Sequence, residues 1–322
     1  HLSKLKINQA VNLDDTSDFF NQLEIANSSI ENENLMRGSQ NRQVAMAQEN
    51  IENDYNTEKI SLINKVGGEI SLTGEESTGI YAKRGKIINE GKISVGNKST
   101  AIYLVEDNKS PLGATTGATV LNASSGEISV GESSTGVYYN VSNSTGNTVI
   151  SGGIQNEGKI TSYADNVLGM VFDSPLSNKV FKNNMTGSIE LTGDKSIGMY
   201  ATGTGSYIAL NEGAILLGNS INQNNPNVGM YTDKLSITLR NNGKISVGKN
   251  AIGMYGYNSI LGGASSLIVG DGGIGIYSRG GDVTLNLGSK IKIGKNKATG
   301  IYYAQKNGNI LNEASSFEIG ES

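Results

Sequence analysis

The stretch Asn89-Glu90-Gly91-Lys92-Ile93-Ser94-Val95-Gly96-Asn97-Lys98-Ser99-Thr100-Ala101-Ile102-Tyr103 decides the fold, because the chain keeps returning to it. Residues 241–255 repeat its plan: Asn241, Gly243-Lys244-Ile245-Ser246-Val247-Gly248, then Gly253-Met254-Tyr255. Working outward, the second half recurs as Gly79-Ile80-Tyr81, Ala101-Ile102-Tyr103, Gly136-Val137-Tyr138, Gly169-Met170-Val171, Gly198-Met199-Tyr200, Gly229-Met230-Tyr231, Gly253-Met254-Tyr255, Gly275-Ile276-Tyr277 and Gly300-Ile301-Tyr302. Eight of these nine carry Gly and eight carry Tyr, so the pattern is an internal repeat.

Before each Tyr unit lies a pair of aliphatic residues two apart: Ile70/Leu72, Ile93/Val95, Ile128/Val130, Ile189/Leu191, Ile215/Leu217, Ile245/Val247, Leu267/Val269 and Ile291/Ile293. Phe317/Ile319 begins another. A two-residue period buries one face of a strand and leaves Ser, Lys, Glu or Thr on the other. A third apolar stretch (Ile87-Ile88, Ile154, Leu210, Leu239, Leu285, Ile310-Leu311) precedes the turn, giving three short strands per unit. Successive Tyr-column positions are 22 to 35 residues apart. At about 3.3 Å per residue, the shortest unit wraps once around a triangular core, and coils stacked about 4.8 Å apart pair each strand with its equivalents. A β-propeller is the main alternative at this period, but its blades need four strands and about 40 residues or more. Calcium-binding nonapeptides would repeat Gly-Gly-x-Gly-x-Asp, which Gly270-Asp271-Gly272-Gly273 approaches only once.

The expectation is therefore an all-β, right-handed parallel β-helix of three-strand coils. Residues 61–322 are its body, with about ten coils. Asn89, Asn156, Asn211 and Asn241, at equivalent turns, are placed to form an amide ladder. Residues 1–60 change character: Gly nearly vanishes and Asn, Gln and Glu dominate. Phe19, Leu23, Ala26 and Ile30 recur at helical spacing behind Thr16, Ser17 and Asp18, and Val44, Ala47, Ile51 and Tyr55 follow a break at Gly38-Ser39. The segment is expected to be a short helical N-terminal cap over the exposed first coil.

Composition narrows the function. With 17% charged residues and a net charge of −4 there is no basic field for phosphate backbones, so no nucleic-acid partner is expected. The absence of Cys removes disulfides, thiolate nucleophiles and Cys-ligated metals; the single histidine, His1, leaves little scope for imidazole chemistry. No cofactor and no metal are expected. No apolar run approaches the roughly 18 to 20 residues of a membrane span, and no signal sequence opens the chain, so an exported protein would be read here as a mature fragment.

Enzymes on β-helices need carboxylates converging on one sugar. The best approximation is the corner holding Glu132, Asp165 and Asp194, but its column continues Asn219, Lys249, Asp271 and Lys295, which reads as a solvated turn. Insertions point elsewhere. From the Tyr position to the next turn Gly, the usual 10 to 14 residues grow to 23 after Tyr103, 20 after Tyr138 and 16 after Val171, and a further insertion spans residues 219–227. All three prolines, Pro111, Pro175 and Pro226, fall in these insertions. Loops on a rigid scaffold carry specificity, so Asp107, Lys109, Asn143, Asn147 and Asp173 are the candidate ligand-binding residues. The Tyr column has two readings, a structural stack and an exposed ribbon for sugar rings.

With its Gly-Lys-Ile-Ser-Val-Gly and Thr-Gly-Ile-Tyr-Ala units, Asn-rich cysteine-free composition and aliphatic columns, the chain from about residue 60 to 322 resembles the passenger regions of large fusobacterial autotransporters, the RadD-like and galactose-sensitive adhesins. That resemblance implies type V secretion, a C-terminal β-barrel in the outer membrane, and a monomeric extracellular passenger. It also implies adhesion to host cell-surface receptors, host glycans or a surface protein of another bacterium. The shared motifs are scaffold residues, so no binding residue is carried over. A non-enzymatic surface adhesin is the expected function, against a glycan-cleaving enzyme or a spacer.

Overall fold

The computed structural model describes residues 4–15, 29–49, 61–107, 116–142, 151–177, 179–221, 223–305 and 307–320. Its strands form three parallel sheets, two of twelve strands and one of ten among the described residues. Among the described residues, each coil between the first and the last contributes one strand to each sheet in turn. In one coil these are Ser61–Asn64, Glu69–Leu72 and Thr78–Lys83, which define the asparagine, aliphatic and tyrosine sheets. The architecture is a right-handed parallel β-helix.

Register follows the repeat. On the aliphatic sheet Ile70 pairs with Ile93, Ile93 with Ile128, Ile128 with Ile160 and Ile160 with Ile189, continuing through Ile215, Ile245, Leu267, Ile291 and Phe317. These side chains are buried down to Ile291, with those of the tyrosine sheet, Ile80, Ile102, Val137, Met170, Met199, Met230, Met254 and Ile276. One unit cannot enclose its inner face; stacking does so, at roughly 1.5–3 kcal/mol for each fully buried aliphatic side chain. On the asparagine sheet the inward column is Ile87, Val120, Ile154, Phe181, Ala209 and Leu239, so Leu210 points outward and Leu285 aligns with Leu261, not with Leu239.

The amide ladder is longer than the sequence suggested. Asn32, Asn64, Asn89, Asn122, Asn156, Asn183, Asn211 and Asn241 are all buried, and each Nδ2 donates to the next Oδ1 at 2.7–2.9 Å. The row ends where Leu261 takes the next position. Beside it, Gly91, Gly126 and Gly158 keep the turn flat: a Cβ at Gly126 would sit 2.3 Å from Asn122 Oδ1. A shorter polar row closes the next corner, where the Ser77 and Ser99 amides donate to Ser99 Oγ and Ser134 Oγ, each at 3.0 Å.

The helical N-terminal cap is corrected. Among the described residues none is helical, and those before residue 60 are further coils. Val44–Glu49 is a strand in register with Thr78–Lys83, Met46 opposite Ile80 and Ala47 opposite Tyr81. Ile30 lies in the strand Ser29–Asn32 opposite Leu62, fully buried. Helical spacing of a few apolar residues is a weak signal, and the unpaired edge of the next coil offers backbone partners that override it. Phe19, Leu23, Ala26, Ile51 and Tyr55 lie outside the described residues.

Candidate functional site

The tyrosine sheet builds the surface with the most distinctive chemistry. In most of its strands a Gly and the following aliphatic residue face inward, so the next residue, usually Tyr, faces out. A Cβ at Gly198 would meet Gly229 O at 2.6 Å and Ile215 Cγ2 at 2.8 Å, which explains why the position is almost always Gly. In-register pairing places Tyr81, Tyr103 and Tyr138 over one another, then Val171, then Tyr200, Tyr231, Tyr255, Tyr277 and Tyr302. Centroids of neighbouring rings are 4.6–5.6 Å apart, Tyr103 and Tyr138 at 5.1 Å and nearly parallel. Burial pushes the phenols of Tyr103, Tyr138, Tyr200, Tyr231 and Tyr255 above their ordinary range.

Val171 breaks the row into runs of three and five rings. At the break lies a cavity of about 300 Å³ lined by Thr135, Tyr138, Leu168, Val171, Asp173, Tyr200 and Thr202. Farther along, the loop 219–227 overhangs the longer run, and Gln223, Asn225 and Pro226 wall a groove of about 560 Å³ over Tyr200, Tyr231, Tyr255 and Tyr277. The loop is anchored by buried Asn227, whose Nδ2 donates to Gly193 O and Gly218 O, both at 3.0 Å, and by Ile221 N on Asp194 Oδ1 at 3.0 Å.

Of the candidate ligand-binding residues, Asp173 is on this surface. It closes the strand Leu168–Asp173, is half-buried and lines the cavity at the break. Burial raises its carboxyl pKa, Lys234 pulls the other way, and Asp233 adds to the rise. Asp107 ends the strand Thr100–Asp107, its backbone opposite Ser142, while its side chain and the residues Lys109, Asn143 and Asn147 lie outside what is described.

The acidic corner has another use. Asp165 Oδ1 accepts the Asp194 amide at 2.8 Å and Asp271 Oδ1 accepts the Lys295 amide at 2.9 Å, just as Asn97 and Asn219 accept from Glu132 and Lys249. These side chains brace one coil to the next. Among the described residues no group of three His, Cys, Asp or Glu side chains is placed to hold a metal ion.

Sequence reasoning missed a buried cluster behind the tyrosine strands. Lys179 Nζ lies 2.7 Å from Glu106 Oε2, both side chains almost wholly buried, and the Tyr139 hydroxyl donates to the same oxygen. Tyr139, Phe181 and Tyr207 pack on Phe172 with centroids 5.0–5.5 Å away. The Tyr207 hydroxyl donates to Thr202 O at 2.7 Å, and burial drives its pKa up strongly. The available signal was the crowding of rare aromatics, Phe172, Phe181 and Tyr207, around one insertion; the partners Glu106 and Lys179 are 73 residues apart. The cluster ties coils across the insertions that border the tyrosine face.

Residues 176–266 match the family described as the BigA third pectate lyase-like domain. No curated protein matches the chain. Among solved structures, a TibC-catalysed hyper-glycosylated TibA fragment aligns with 99% of this chain and 100% of its own, at 10% identity and a TM-score of 0.25. That stretch, which holds Lys179 and the strands of Tyr200, Tyr231 and Tyr255, is thus similar to a pectate lyase-like domain, in keeping with its β-helical coils.

Proposed function

We propose that this chain is a segment of a bacterial cell-surface adhesin, an autotransporter passenger that attaches to host receptors or glycans or to another bacterium, and that it acts by binding, not catalysis. The observation that carries this reading is the tyrosine face: half-exposed aromatic rings in line on a rigid stack, bordered by the anchored loop 219–227. Aromatic rings with nearby amides and hydroxyls suit shallow contacts that gain strength by repetition along a rod. The BigA-like stretch and the resemblance of the repeat units to autotransporter passengers support the same reading. Corner carboxylates engaged in bracing backbone amides favour it over glycan cleavage.

The test is binding of the monomeric fragment to cultured host cells and partner bacteria, with galactose and free arginine as competitors. Saturable attachment is the expected result. Absence of attachment to any cell type, or release of oligosaccharides from a glycan panel, would overturn the reading.

A further inference from the structure

The break in the tyrosine row is a place where a ring is missing from an otherwise regular stack. Where neighbours stack, as Tyr255 and Tyr277 do, 4.6 Å apart and 13° from parallel, each covers the other's face and presents mainly edges and hydroxyls to a ligand. Faces become available where a run ends. Tyr138 lies 6° from parallel with Tyr103, which leaves its second face turned toward the Val171 position. Across the gap, Tyr200 stands 70° from Tyr231, rotated out of the stack. Val171, itself buried, forms the floor between them.

We infer that this gap is a binding slot for a single pyranose ring, held between Tyr138 and Tyr200 over Val171, with Asp173 accepting its hydroxyl protons. The inference rests on the adhesive reading above and names its ligand class and site. Tyr138 and Tyr200 are two coils apart, about 9.6 Å at about 4.8 Å per coil. Allowing a van der Waals contact of about 3.5–4 Å on each side, the span takes one ring and no more. In the regular part of the row one phenol, such as Tyr255 between Tyr231 and Tyr277, occupies that span, so the gap admits a single ring and the chemistry of its walls selects which. The C–H face of a pyranose suits the Tyr138 face, and its vicinal hydroxyls need acceptors. Asp173 supplies two oxygens at the rim and accepts no hydrogen bond among the described residues; Thr135 and Thr202 add hydroxyls.

The experiment is saturation-transfer NMR and calorimetry on the fragment with the methyl pyranosides of glucose, galactose, mannose and N-acetylglucosamine, and with free arginine and p-cresol as flat probes. Saturable binding of at least one pyranoside is expected. Val171→Tyr, which supplies the missing ring at a position where eight other coils carry Tyr, should keep the circular dichroism spectrum and weaken that binding at least tenfold. Asp173→Asn should weaken it about fivefold and serves if Val171→Tyr does not fold. The inference is overturned if no pyranoside saturates, if only the flat probes do, or if the folded variants bind as well as the parent. Its fate is separable from the adhesive reading. Pyranoside binding without cell attachment upholds the slot and defeats adhesion, whereas cell attachment without pyranoside binding does the reverse.

Discussion

Two columns of this molecule are made in the same way and end with opposite properties. The asparagine row runs unbroken from Asn32 to Asn241, is buried, and spends its amides on itself. The tyrosine row is half-exposed, changes ring tilt from place to place, and is interrupted at Val171. In-register stacking amplifies whatever residue a turn repeats. Burial then decides whether the amplified row becomes a spine or a surface, since a buried amide must be satisfied within the protein while an exposed phenol remains available.

The largest effect is expected where the two regions are tied together. Lys179→Met removes the ammonium from a carboxylate that stays buried, and chemical denaturation should report a loss of roughly 3–5 kcal/mol. Combining it with Glu106→Gln should recover much of that loss, because the buried charge goes too. Equal destabilisation in the single and double variants would show that the pair does not act as a unit.

A second comparison lies within the spine. Asn156→Ala removes the donor to Asn183 Oδ1 and the acceptor of Asn122 Nδ2 and so opens the row, at a cost of roughly 2–3 kcal/mol. Asn241→Leu only shortens the ladder by one rung, ahead of the position where Leu261 already stands, and should cost less than Asn156→Leu in the same melting experiment. If the two Leu variants melt alike, continuity of the ladder is not what stabilises it.

The surface row should show itself in alkali. Folded-state pKa values raised above the ordinary tyrosine value near 10 mean that the neutral phenol is favoured in the fold. The stabilisation is then complete below pH 10 and is lost as pH rises through the folded values. Tyrosinate absorbance should give a titration displaced upward for part of the 14 tyrosines, with unfolding at its upper end. A single titration at the ordinary value would remove the evidence for half-burial. The smallest effect is expected at the outer corner. Lys195, at φ 56°, is one of a column of non-glycine residues in the left-handed region, and Lys195→Gly should change stability by less than about 1 kcal/mol, as relief of strain offsets glycine's entropy.

Much of the fold was legible because the repeat writes its own register. Ile93 over Ile128 and Tyr103 over Tyr138 follow from aligning the units, and the ladder at Asn89, Asn156, Asn211 and Asn241 was visible as a recurring residue at a turn. The first coils were not legible, because Val44–Glu49 lacks the Gly-Ile-Tyr signature and takes its strand form from the edge it joins. Asp173 was singled out through the insertion it opens. The cavity beside it escaped notice because Val171 reads as a lapse in a pattern, and only the stacking of its neighbours turns a lapse into a gap. The Glu106–Lys179 pair was hidden for a simpler reason: its partners belong to different coils and to no repeated position.

The account's central claim is that the tyrosine face carries the contacts while the rest of the coil is scaffold. The chain has no cysteine, so one introduced thiol can be labelled selectively. The direct test is cell attachment by Tyr138→Cys and Ser129→Cys fragments, each coupled to the same maleimide polyethylene glycol. Ser129 lies exposed on the aliphatic sheet of the same coil as Tyr138. Loss of attachment for the label at position 138 with attachment retained for the label at 129 is the predicted result; equal attachment by both would contradict the account.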